Sequence, residues 1–123
     1  MYPNLKNKKV ILTAGTNGIG KAIVAGFVAA GARVAVCARS EEGLTALKGE
    51  FGDQVWTQSV DLFAVDAVTN FVNQAIQELG GVDVLVYNPP HVTKNLISKV
   101  GLEDWQQAFD GTYKSMVAAT EAV

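Results

Sequence analysis

The chain has one cysteine, Cys37, and one histidine, His91. A lone thiol excludes an internal disulfide and any cysteine-rich metal site. Cys37 lies in the apolar run "RVAVCA", where a buried structural thiol is expected rather than a reactive one. An excess of one charge is also missing. Ten lysines and arginines stand against twelve aspartates and glutamates, a net charge of -2 with both signs scattered. No basic stripe marks a nucleic-acid surface. The N-terminal "MYPNLKNKKV" holds no apolar run long enough for a signal peptide, and no window approaches a membrane span. Repeats, linkers and low-complexity segments are absent. A cytoplasmic setting is the expectation, with neither nucleic acid nor membrane as a partner.

What the chain does have is apolar content, 49% of 123 residues, enough for the core of one modest domain. Val10–Thr13, Val34–Ala38, Val55–Val60 and Val82–Tyr87 read as short, buried strands. Helical spacing links Ile19, Ile23, Phe27 and Ala30, with Gly31 as a stop. Ser40 predicts an N-cap for a helix whose face carries Leu44, Leu47 and Phe51. Val65, Val68, Val72, Ile76 and Leu79 mark a third helix closed by Gly80-Gly81, and "NPPHVTKN" reads as a loop. A last helix from Leu102 places Leu102, Trp105, Phe109, Met116 and Val123 on one side. It ends on an apolar residue with no stop signal, which predicts a chain cut inside an element. Wholly apolar strands alternating with amphipathic helices imply βαβ units and a parallel sheet. Trp56 and Trp105 fall at positions that predict packing, and Lys6, Lys8 and Lys9 predict a solvated cluster.

The stretch "VILTAGTNGIG", Val10 to Gly20, runs from the first strand into a turn with three glycines. Backbone N–H groups at such a turn meet a helix N-terminus, where a pyrophosphate is stabilised by hydrogen bonds and the helix dipole. The ordinary G-x-G-x-x-G spacing is absent, so the residues alone leave a plain tight corner as the alternative. The wider pattern is more specific. "TAGTNGIG" resembles the T-G-x-x-x-G-I-G fingerprint of the short-chain dehydrogenase/reductase family. "SVDL", "GGVDVLVYN" and "EDWQQAFDGTYKSMVAATEAV" resemble that family's later segments in the same order, over nearly the whole chain.

The resemblance implies a Rossmann-like α/β fold, a parallel sheet of order 3-2-1-4 for the strands present, flanked by helices. Residues 1–123 would form a single dinucleotide-binding domain. Gly15, Thr16, Asn17, Gly18, Ile19 and Gly20 would wrap the cofactor's pyrophosphate. Asp61 and Leu62 would flank the adenine, and Asn88 would sit beside the nicotinamide ribose. At the end of the second strand a carboxylate favours NAD, whereas an arginine pairs with the 2′-phosphate of NADP. Here Ala38 occupies that position and Arg39 follows, so NADP(H) is expected ahead of NAD. The alternative is that Arg39 is merely solvated beside Glu41 and Glu42.

Four departures from the family pattern stand out. Ala14 replaces the first glycine of the fingerprint, "YNPP" replaces N-N-A-G, and Thr112 falls where a relay asparagine belongs. The family's catalytic serine, tyrosine and lysine lie beyond the last helix, so no catalytic residue is assigned. The Tyr2–Lys6 match to Tyr-x-x-x-Lys precedes the first strand and reads as chance, and His91 has no partner acid or nucleophile at readable spacing. The expected function is the NADP(H)-binding part of an oxidoreductase that moves hydride to or from a carbonyl or alcohol carbon, with these residues alone inactive. The alternative is a non-catalytic NADP-binding or scaffold module completed by oligomerisation. The family's use of the last helix at subunit contacts implies a homo-oligomer.

Overall fold

A computed structural model of the chain describes residues 4–90 and 96–123. Its centre is β1 (Lys9–Thr13), where Val10 to Thr13 are fully buried. β2 (Arg33–Ala38), β3 (Val55–Ser59) and β4 (Val84–Val86) complete a parallel sheet of order β3-β2-β1-β4. Val10 pairs with Val34 on one side and Val84 on the other. Strand side chains alternate between two cores. Ile11, Ala35 and Cys37 pack towards Phe71 and Val72 on α3 (Val65–Leu79). Val10, Leu12, Val34 and Val36 pack towards α1 (Gly18–Ala29) and α2 (Glu41–Phe51). Cover on both faces is why these strands carry no polar alternation.

The ends of the elements follow local chemistry. Ser40 caps α2, its hydroxyl accepting the Gly43 N–H at 3.0 Å. Gly80 closes α3 in the left-handed region, φ 76°. Lys9 donates its ammonium to the Gly80 carbonyl at 2.9 Å, so it belongs to this helix end and not to the solvated cluster expected with Lys6 and Lys8. β4 is shorter than Val82–Tyr87. At its start the Asp83 N–H donates to the Lys9 carbonyl at 2.8 Å, while the Asp83 carboxylate takes the Lys9 N–H, also at 2.8 Å.

Two helical expectations are corrected. On α1 the buried positions are Gly20 and Val24, while Ile19 is 75% exposed. The last helix runs on from Leu102 to Ala122 with helical backbone throughout, but it widens midway. α4 (Leu102–Phe109) and α5 (Ser115–Ala122) are separated by a π-helical turn over Asp110–Lys114, and Val123 lies beyond α5. The apolar stripe on this segment faces out: Leu102 is 85% exposed and Trp105 54%, against the packing expected for Trp105. Trp56 does pack, stacked on Phe71 with ring centroids 6.1 Å apart. Among the described residues no helix is long and apolar enough to cross a membrane.

Candidate functional site

The segments that leave the carboxyl ends of all four strands converge on one cavity of about 450 Å³. Open parallel sheets bind ligands at this edge, where strand order reverses. The turn after β1 contributes Ala14 and Thr16 to Ile19, and the end of β2 contributes Ala38, Arg39 and Ser40. Val60 to Phe63 follow β3, and Asn88 to Pro90 follow β4.

The glycines of the first turn do different jobs. Gly18 opens α1 at φ 49°, with open space where a Cβ would stand. The N-cap residue Asn17 makes no side-chain capping bond, so the first N–H groups of α1 have no side-chain acceptor. That is an anion-ready terminus. Gly15 and Gly20 do not line the cavity. A Cβ on Gly15 would meet Val36, Val24 and Leu12, and one on Gly20 would meet the Ala14 carbonyl. Both let the turn lie tightly against the sheet. Ala14, without a glycine's freedom, adopts φ 55°.

Three hydrogen bonds join the first turn to the end of β4. The Thr13 hydroxyl donates to the Asn88 carbonyl and accepts the Asn88 N–H, each at 2.8 Å. The Asn88 side chain donates to the Ala14 carbonyl at 3.0 Å. Asn88 therefore lines the cavity with its amide engaged in holding the turn. Asp61 is similarly committed, its carboxylate accepting the Phe63 N–H at 2.9 Å. Behind Leu62, the buried Ser115 hydroxyl donates to the Leu62 carbonyl at 2.7 Å.

Arg39 is exposed at the cavity rim and makes no ion pair among the described residues, with Glu41 and Glu42 included. Ala38 offers no carboxylate beside it. Burial pushes the Cys37 thiol up to about 12, which keeps it protonated and inert. Burial also pushes Tyr87 up to about 12, and its hydroxyl donates to the Gly111 carbonyl in the π turn. Thr112 is exposed in the same turn. No group of histidine, cysteine and acidic residues among the described residues could hold a metal ion. His91 and Tyr2 lie outside the described residues.

The cavity therefore gathers Thr16 to Ile19, Arg39, Asp61, Leu62 and Asn88, and leaves Gly15 and Gly20 beneath it. Sequence reasoning missed Thr13, Phe63 and Gly111. An isolated glycine inside the last helical pattern, Gly111, was the available signal, since such a residue costs about 1 kcal/mol unless packing requires it.

Fold and site together define a Rossmann-like α/β domain. The family model described as short chain dehydrogenase matches residues 8–123, and the chain belongs to that family. The 3beta-hydroxysteroid dehydrogenase 2 of Eggerthella lenta is 32% identical over 96% of this chain and 47% of its own length. The D-xylose 1-dehydrogenase of Caulobacter vibrioides is 30% identical over 100% of this chain and 49% of its own. Two solved structures share the fold closely. A blue fluorescent protein from a metagenomic library, in complex with NADPH, superposes with a TM-score of 0.90 at 32% identity, covering 97% of this chain and 51% of that one. A short chain dehydrogenase from Burkholderia cenocepacia, in complex with NADP, gives 0.91 at 27% identity, over 97% of this chain and 50% of its own. The chain spans about half the length of these relatives.

Proposed function

We propose that this chain is the NADP(H)-binding part of an oxidoreductase that transfers hydride to or from a carbonyl or alcohol carbon. The observation that carries the reading is Arg39, an exposed guanidinium without an ion-pair partner among the described residues, at the cavity rim beside Ala38, which carries no carboxylate. The residues fit such a group. The open, uncapped start of α1 at Asn17, Gly18 and Ile19 offers N–H donors to a pyrophosphate. Arg39 would pair with the 2′-phosphate, and Asp61 and Leu62 would border the base. Asn88 holds the rim where the nicotinamide ribose would lie. The bound dinucleotide supplies a hydride carrier, and this chain's residues bind and orient it. Family membership and two neighbours solved with NADP or NADPH support the reading.

Titration with NADPH and NADH tests it. NADPH binds more tightly, and Arg39→Asp weakens NADPH by about tenfold or more while sparing NADH, as expected for a lost charge-assisted hydrogen bond. Equal affinities before and after the change would refute the phosphate role.

A non-catalytic dinucleotide-binding module is the second reading. It is favoured by Thr112, exposed in the π turn where the family pattern places a relay asparagine. Carbonyl reduction by the protein at a rate above the uncatalysed one would remove it. In either reading the outward stripe of α4 and α5 is proposed to meet a second copy of the chain.

A further inference from the structure

Phe63, Pro90 and Gly111 are far apart in sequence and meet at one point. A Cβ on Gly111 would stand 2.6 Å from Phe63 Cδ1 and 2.8 Å from Pro90 Cγ. Phe63 and Pro90 both line the cavity, whereas Gly111 is buried behind them. Their two rings therefore rest on a patch of bare backbone. That backbone is tethered on both sides. Tyr87, just past β4, donates its hydroxyl to the Gly111 carbonyl. Ser115, one helical turn later, donates to the Leu62 carbonyl at 2.7 Å. A side chain added at Gly111 would meet a turn that is held in place, a Phe63 ring that can swing, and a Pro90 ring that moves only with its backbone. The wall would give way at Phe63 first, and Phe63 and Pro90 are the cavity wall. An overpacked contact of this kind is destabilising when it cannot relax.

We propose that Gly111 is a positioning residue for the ligand cavity: it never meets the ligand, and it sets the wall through Phe63 and Pro90. The inference takes its ligand from the NADP(H) reading, but its geometry stands without it.

The test is a double-mutant cycle with NADPH as the probe. Gly111→Ala weakens NADPH binding by the folded protein by about tenfold in the parent background. In a Phe63→Ala background the same change costs less, about threefold, because only the Pro90 ring still stands against the new methyl. Gly49→Ala on α2, where a Cβ meets open space, leaves affinity unchanged. A Gly111→Ala protein that melts earlier but binds NADPH as the parent does would overturn the proposal, and so would equal costs in the two backgrounds. If Gly111→Ala folds only together with Phe63→Ala, the coupling is supported; if neither folds, it is refuted. Should the parent bind neither NADPH nor NADH, the dinucleotide reading fails and backbone amide resonances decide the inference. Shifts at Asp61 and Leu62 in Gly111→Ala that revert with Phe63→Ala support it, and shifts confined to the π turn overturn it.

Discussion

Ala14 has a left-handed backbone, φ 55°, one residue after β1. An L side chain there costs about 1–2 kcal/mol, which glycine would not. Its carbonyl accepts the Asn88 amide at 3.0 Å and faces the bare Cα of Gly20. The strain is thus imposed by a turn pressed close to α1. Ala14→Gly stabilises the fold by up to about 1 kcal/mol in urea unfolding, after the entropy that glycine adds to the unfolded chain. Gly20→Ala, which drives a methyl into the Ala14 carbonyl, destabilises it by more than that. Reversed signs would show that the turn does not hold Ala14 in this conformation. The replacement of glycine by alanine was visible in the sequence, but the positive φ was not. Gly20 explains a second gap. Apolar periodicity registers side chains, so a helix that buries a glycine conceals its own inner face, and Ile19 is mistaken for core.

At the scale of elements, the strands were legible because wholly apolar runs point to a covered parallel sheet, and their order because the motifs resemble a family with that order. The π turn was not legible. It lies where Gly111 meets Phe63, Pro90 and the Tyr87 hydroxyl, and no local pattern encodes contacts across such separations. Tyr87, Pro90 and Thr112 were each visible as departures from the family pattern; the structure gathers them around one turn. Along α4, the π turn and α5, the side chains of Leu102, Trp105, Phe109, Tyr113 and Met116 are exposed. Contiguous apolar surface of this kind marks an interaction site. Leu102→Glu combined with Trp105→Glu lowers the assembly state seen by light scattering. Because both residues are exposed, each change costs the fold only about 0.5 kcal/mol or less. An unchanged molar mass, in a protein that self-associates, would place the interface elsewhere.

For the whole molecule, the two raised groups lower stability on the alkaline side. Cys37 is raised from 9.0 to about 12 and Tyr87 from 10.0 to about 12, both chiefly by burial. Each keeps its proton longer folded than unfolded, so the unfolded chain binds fewer protons and stability falls as pH rises. Stability is full below about pH 9, then declines through the Cys37 window and more steeply once Tyr87 contributes. Urea unfolding from about pH 8 to about pH 11 reads this, and Cys37→Ala flattens the first part of the decline. A parent profile level through that range would contradict the burial argument. The Thr13 hydroxyl carries a different consequence. It donates to and accepts from Asn88 at 2.8 Å each, while the Asn88 amide holds the Ala14 carbonyl. These bonds tie the β1 rim to the β4 rim. A molecule that binds there is expected to associate at a rate governed by diffusion and charge, without a slow gating step between the two rims.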